Sequence, residues 1–530
     1  MTIQLDRQAS ITKIATRCKP WDLAVIGGGA TGVGIAMDAA SRGLDVVLLE
    51  RFDFGSGTSS RSTKLVHGGV RYLKQGNLTL VHDALHERTL LKNNAPHLVH
   101  DRAFVIPCKS LREWLFYGAG LKAYDLLAVR NSFGRSHLIS KSATLKQSPG
   151  IREERVYGGV VYHDGQFDDT RLLINMLQTA AEYGACAANY VTVESLLKDD
   201  DGRVQGVVAR DMESQQSHDV FAKAVINAAG PFCDEVRRLD RSDAEPMVAA
   251  SQGIHLVLPI EFFPGDHAMI VPKTSDGRVI FIVPWHGHAV VGTTDTAIPQ
   301  AVPEPTAQRA EIQFLLDTAS DYLTKTPTLN DVQSVFTGIR PLVKADTSGG
   351  SGKKTSALSR DHVIRDSPSG LITITGGKWT TVRKMAEDCV DHAIDQAKLA
   401  ASPCQTKTLA VHGATSVSAN PRSHYGTDLI EIEAIEHQRP ELSAPIDESL
   451  HITGAEIVWA AKNEMARHVE DALARRTRAL FLNTAAAIRA APTVAKLMAA
   501  ELGMDEAWVE EQISAFNKLA AVYDPRHLMS

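Results

Sequence analysis

DLAVIGGGATGVGIAMDAASRGLDVVLLE, residues 22–50, is the stretch whose reading decides the fold. It opens on an apolar run, Leu23 to Ile26, too short for a helix and suited to a buried parallel strand. Gly27, Gly29 and Gly32 follow at the spacing GxGxxG. A helical stretch comes next, with Val33, Ala36 and Met37 at inward spacing, then a second apolar run, Val46 to Leu49, that ends on Glu50. The whole reads as a β-α-β unit. Gly27 allows the tight turn, Gly29 lets backbone approach a pyrophosphate, and Gly32 lets helix pack on strand. The helix N-terminus offers unpaired N–H groups and a positive dipole end to phosphates. Glu50 stands where a carboxylate can accept hydrogen bonds from an adenosine ribose, which argues against a cofactor with a 2′-phosphate. The motif alone does not choose between FAD and NAD.

Working outward, 530 residues are too many for one ordinary core, so two or three domains are expected. A hydrophobic content of 44% and a charged content of 22% are those of a globular protein, and a formal net charge of −6 gives no support for nucleic-acid binding. The six cysteines are scattered with no CxxC pair, which fits a reducing compartment and neither a disulfide framework nor a zinc site. The first 20 residues are polar, which argues against a secretory signal, and read as a loosely held arm. No run of 18 apolar residues occurs, so no membrane span is expected; peripheral attachment stays open.

After Glu50 and Arg51 comes a dense polar loop, GSGTSSRSTKLVHGGVRY, residues 55–72. Hydroxyls, glycines and cations at this density suit wrapping around phosphates and ribityl hydroxyls, which need many donors and a close backbone. Residues 78–93 have helical spacing; His82, His86 and Glu87 there form no metal-ligand pattern and read as a solvated face. Residues 114–127 are bulky and apolar with interspersed cations: either a helix packed on its own domain, the favoured reading, or a surface for a membrane interface. A strand at 224–226 stops at Asn227-Ala-Ala-Gly230-Pro231, where bulk would collide with a nucleotide, and is the chain's return to the cofactor sheet. From 252 to 296 the pattern is a β-meander, the roof of a substrate pocket, with His255 inside an apolar strand. Arg340 sits in an apolar, turn-like context, Phe336 to Leu342. A strand, Leu371 to Thr375, runs into Gly376-Gly377-Lys378 and a helix, again an anion-binding arrangement. Beyond a linker marked by Pro403 and the polar stretch 415–428 the chain reads as helices at 429–438, 454–474, 484–500 and 505–522, with Arg475, Arg476 and Arg478 read first as a solvated charged end and second as a contact for acidic lipid or a partner.

Several long segments resemble the FAD-dependent glycerol-3-phosphate dehydrogenase family in its bacterial respiratory form. They are IGGGATGVGIAMDAASRG (26–43), TSSRSTKLVHGGVRYL (58–73), NAAGP (227–231), GIRPL (338–342), GGKWTT (376–381) and RRTRALFLN (475–483), in the family's order along nearly the whole chain. The resemblance implies an α/β fold: a Rossmann-like FAD-binding domain of the glutathione-reductase/D-amino-acid-oxidase type (20–400), interleaved with an antiparallel β substrate domain (roughly 95–165 and 245–345), and a C-terminal α-helical domain (405–530). It implies FAD as cofactor, with no metal. The cofactor-binding positions are Gly27, Gly29, Ala30, Thr31, Gly32, Glu50, Arg51, Thr58, Ser59, Ser60, Ser62, Lys64, Leu65, His67, Gly68, Gly69, Val193, Ala229, Gly230, Gly376, Gly377, Lys378, Trp379 and Thr380. Substrate contacts fall on Arg71, Tyr72, His255, Arg340 and Lys378, the last three also catalytic. The implied reaction is oxidation of sn-glycerol 3-phosphate to dihydroxyacetone phosphate, with hydride to flavin N5 and electrons to a membrane quinone, in glycerol catabolism. The implied setting is cytoplasmic, peripheral on the inner face of the cell membrane, as a homodimer. Val382 and Phe232 depart from the family's usual tyrosine and tryptophan, which bears on flavin packing. The chemistry needs cations to fix a dianionic phosphate and a proton acceptor; His255 has the most suitable intrinsic pKa, while Arg340 is the alternative partner of a developing alkoxide. Rival readings are an oxidase of the same fold that uses O₂, a flavin-dependent amino-acid oxidase, and a redox-sensing flavoprotein module.

Overall fold

The computed structural model describes residues 5–69, 78–128, 133–274, 277–344, 361–416 and 420–529. Two sheets organise it. In the first, Trp21–Ile26 lies parallel to both Val46–Leu49 and Ser217–Asn227, with Cys186–Ala188 and Ile372–Thr375 extending the parallel set on either side. These strands read as continuous apolar runs because both their faces are covered. The helices Ala30–Ser41, Asp169–Glu182 and Val382–Ala397 bury Val33, Met176 and Met385 against one face. The other face meets Ile11, Ile14 and the hairpin Val191–Lys198/Val204–Asp211.

The second sheet is mostly antiparallel. Val248–Pro259 pairs with His288–Gly292 on one side and with Ser334–Val343 on the other. The sheet continues through Ile280–Trp285 and Ala268–Val271 to Val99–Cys108 and Gly158–Phe167. Beyond these sheets, helices Gly454–Asn463, Thr484–Leu502 and Glu506–Ala520 close around an alanine-rich core with Leu473, Phe481 and Val494. Among the described residues no helix is long and apolar enough to cross a membrane.

Five expectations are corrected. The N-terminal arm is a helix, Arg7–Thr16, capped by Asp6 and tied down by buried Ile11 and Ile14 and by Arg7 on Asp211 at 2.5 Å; its two inward isoleucines are outnumbered by solvated polar residues. The 336–342 segment is not a turn but part of the strand Ser334–Val343, on which Pro341 is tolerated because, among the described residues, the strand pairs on one side only. Glu87 is not solvated: it is buried, 2.6 Å from Arg383. The expected helix over 454–474 ends at Asn463, because Glu464 turns inward to Arg171 and Met465 takes a positive φ of 52°. Arg475, Arg476 and Arg478, read as a charged end, are all buried in ion pairs. The helix Leu111–Ala128, favoured as packed, does bury Gly118, Leu121 and Tyr124, yet leaves Leu115, Phe116 and Leu126 between 53% and 76% exposed.

Candidate active site

The glycine turn has the geometry its spacing predicts. Gly27 has φ +110°, and a Cβ there would stand 2.7 Å from the carbonyl oxygen of Ala228 on the neighbouring strand. A Cβ on Gly32 would fall 1.8 Å from the oxygen of Gly27, so helix and strand approach too closely for any side chain. Helix Ala30–Ser41 begins directly after this turn, and the amide of Ala30 donates to Ser59 Oγ at 2.8 Å. Glu50 accepts from the amides of Gly28 and Phe52, and burial raises its carboxyl pKa despite them.

This helix end opens on a cleft of about 1540 Å³. Fifteen of the expected cofactor positions line it: Gly27, Gly29, Ala30, Thr31, Glu50, Arg51, Thr58, Ser59, Val193, Ala229, Gly230, Gly376, Gly377, Lys378 and Trp379. Val382 lines it too, and Phe232 lies there with the Arg51 guanidinium 5.0 Å above its ring. The opposite wall is a second glycine pair, Gly376 and Gly377, at φ +83° and +75°; side chains there would strike Asp361 O and Met385 Sδ. A helix N-terminus, glycine turns packed too tightly for side chains, an acid at the end of the second strand and a hydroxyl-rich wall together fit a dinucleotide with a pyrophosphate.

Nine expected positions lie outside that lining. Gly32 is under the turn, and Ser60 and Leu65 are buried. Ser62 Oγ donates to Asp169 at 2.7 Å. The Lys64 ammonium lies between the carboxylate oxygens of Asp169, 2.7 and 2.8 Å away, fully buried, so its charge is spent on this pair rather than on a phosphate. The His67 amide donates to Thr380 Oγ1 and the Gly68 amide to Asp164, while Gly69 takes φ +76°. Arg71 and Tyr72 lie outside the described residues.

The polar loop ties this cleft to the second sheet. Thr58 Oγ1 donates to the carbonyl of Ile339 at 2.6 Å, and Trp379 Nε1 donates to the carbonyl of Ser59 at 2.9 Å. Four residues on, Thr63 Oγ1 meets His255 Nε2 at 2.9 Å. His255 is buried, stacked on Phe336 with centroids 4.7 Å apart, and its Nδ1 has no protein partner. Desolvation, then the positive fields of Arg340 and Lys64, holds its pKa well below 6.5, so the ring is neutral at pH 7. Gly292, opposite it, leaves room that a Cβ would take 2.2 Å from the ring. Arg340 is held by Thr293 Oγ1 at 3.1 Å and by the Thr294 carbonyl at 3.0 Å. Thr63, Phe336 and Thr293 were not singled out from the sequence. Their spacing carries no chemistry until strands and loop are brought together.

Known proteins place this geometry. Residues 22–383 match the model of the FAD dependent oxidoreductase family, and 372–509 match the C-terminal domain of alpha-glycerophosphate oxidase. A mitochondrial glycerol-3-phosphate dehydrogenase of Arabidopsis thaliana is 40% identical over 96% of this chain and 87% of its own length. The human mitochondrial glycerol-3-phosphate dehydrogenase is 39% identical, with 94% of this chain and 73% of the human one covered. Among solved structures, glycerol-3-phosphate dehydrogenase from Bacillus halodurans, complexed with FAD, superposes with a TM-score of 0.80 at 30% identity over 98% of this chain and 99% of that one. With that cradle and these relatives, the chain belongs to the FAD-dependent glycerol-3-phosphate dehydrogenase family and is an FAD-dependent oxidoreductase.

Proposed function

We propose that this enzyme oxidises sn-glycerol 3-phosphate to dihydroxyacetone phosphate in glycerol catabolism and passes the electrons to a membrane quinone. The observation that carries the reading is the buried, neutral His255, joined through Thr63 to the loop that also lines the dinucleotide cleft. The relatives at 39–40% identity are named for this substrate.

When bound, FAD supplies the acceptor for the hydride leaving C2 of the alcohol. The chain's own residues do the rest. Thr63 Oγ1 hydrogen-bonds Nε2 of His255 and orients the neutral ring, which takes the hydroxyl proton as the hydride departs. A pKa held low keeps the ring unprotonated and ready at neutral pH. Arg340 and Lys378, with Arg71, fix the dianionic phosphate, arginine through paired N–H groups and lysine as a point charge. Thr293 and the Thr294 carbonyl fix the plane of the Arg340 guanidinium before substrate arrives.

A lipid-soluble acceptor requires access to a bilayer. The helix Leu111–Ala128 turns Leu111, Leu115, Phe116 and Leu126 outward beside exposed Arg112 and Lys122, which suits a headgroup interface. Peripheral attachment on the inner face of the membrane through this helix completes the reading.

Anaerobic addition of sn-glycerol 3-phosphate to the FAD-loaded protein should bleach the flavin. An unbleached flavin overturns the substrate assignment. Steady-state turnover with a soluble quinone analogue should far exceed hydrogen peroxide production under air; the reverse ratio makes the protein an oxidase.

A further inference from the structure

A second cavity, with about 960 Å³ of free space, shares no lining residue with the flavin cleft. It forms where the strand Val99–Cys108 meets the hairpin turn at His286 and Gly287 and the segment carrying His424. His100 and Arg102 are two residues apart on that strand and face one side of it. The Arg102 guanidinium is fixed by Nε on Gln166 Oε1 at 2.8 Å and by Nη1 on the Asp266 carbonyl at 2.6 Å. His97 is fully buried behind the wall, its Nε2 meeting Asn175 Oδ1 at 3.3 Å. His424 stands 5.7 Å, ring to ring, from His286.

The acids that face this space are already engaged or peripheral. Asp168 accepts from the Arg171 amide, from Arg478 at 2.7 Å and from His286 Nε2 at 3.1 Å. Asp266 is exposed at the rim. One guanidinium and the imidazoles of His100 and His424 therefore set the chemistry. Among the described residues no group of His, Cys, Asp and Glu is arranged to hold a metal ion. A planar guanidinium beside imidazoles is a donor set for a phosphate oxyanion.

We infer that this cavity binds a small phosphate-bearing anion through Arg102, His100 and His424, at a site separate from the flavin. The test titrates inorganic phosphate into the FAD-loaded enzyme by calorimetry, with the flavin spectrum recorded in parallel. Phosphate in the flavin cleft perturbs the spectrum; phosphate in this cavity does not. A saturable heat without spectral change is expected. Its affinity should fall about tenfold or more in Arg102→Met, with the loss of a charged hydrogen-bond donor pair, and vanish in His100→Phe, which fills the space. KM for glycerol 3-phosphate should be unchanged in both variants. If Arg102→Met does not fold, His100→Phe decides. Heat confined to the spectrum-linked event, or an affinity that neither substitution lowers, overturns the inference. Neither result depends on whether glycerol 3-phosphate bleaches the flavin.

Discussion

At the scale of single residues, groups that hold still are set apart from the one proposed to move a proton. Gly32 is the sharpest case of the first kind, because a methyl group there would overlap the Gly27 carbonyl. Gly32→Ala should lose FAD, read as flavin absorbance per chain after gel filtration; full retention would show that strand and helix can part. His255 is the case of the second kind. His255→Gln should lower the rate of flavin reduction on the order of 10²–10⁴-fold, the usual size of a general base contribution. KM should change little, because the proposed phosphate clamp lies elsewhere. Since the folded pKa lies well below 6.5, the wild-type rate should fall only on the acid side of that value, as the ring gains a proton. An acid limb near pH 7, or none that the variant abolishes, would move the base elsewhere. His412 shows the opposite shift: burial opposes its charge, but Asp428 at 2.9 Å and Glu182 outweigh it and raise the pKa to about 9. A raised pKa stabilises the fold fully below about 6.5 and loses that stability as pH rises through 9; the linkage amounts to about 3 kcal/mol. His412→Gln should flatten the decline of Tm across this window, and an identical decline in both proteins would refute the assignment.

At the scale of elements, the polar loop after Glu50 is held from outside the cleft it serves. Asp53 is buried against Arg475 and Arg476, Arg61 reaches Glu304 at 2.7 Å, and Lys64 reaches Asp169. The two arginines come from the π-helix Asp471–Arg476, so the C-terminal helices pin a loop of the nucleotide-binding sheet. Their positive charge pulls the Asp53 pKa down to about 2 against the cost of its burial. Asp53→Asn would take from Arg476 its close carboxylate, leaving only Glu464 at 4.0 Å, while Arg475 keeps Glu470 and Asp471; breaking a buried pair of this kind costs about 3–5 kcal/mol. The expected result is a markedly lower Tm in a thermal scan, together with weaker FAD retention. A Tm within a degree or two of wild type would mean that water or a shifted side chain replaces the carboxylate.

At the scale of the whole molecule, the helix Leu111–Ala128 carries the apolar face that packing leaves uncovered. Leu115→Glu, Phe116→Glu and Leu126→Glu together place three carboxylates on a surface that is already solvated, so the fold should survive. Wild type should sediment with vesicles of phosphatidylethanolamine and phosphatidylglycerol, and the triple variant should stay in the supernatant with its anaerobic flavin reduction intact. Equal sedimentation of the two proteins would remove this helix from the membrane surface.

The nucleotide-binding unit was legible in the sequence because its signals are local: a strand, a turn that needs glycine, a helix and a second strand within 29 residues. Steric demand acts between near neighbours and leaves a pattern that can be read without contacts. The same holds for the strand that ends at Asn227 and for the glycine pair before Lys378. Tertiary structure alone decided the rest. Arg475, Arg476 and Arg478 look like a solvated end because charge is exposed by default; their acids, Asp53, Glu464 and Asp168, lie far away in sequence or on other elements. Arg340 looks like a turn residue until Val248–Pro259 pairs with it along a whole strand. His255 becomes a buried, neutral ring only when Thr63, Phe336 and Gly292 converge on it from three other segments. Burial and pairing set the charge state of each of these groups, and both are properties of contacts that sequence spacing does not record.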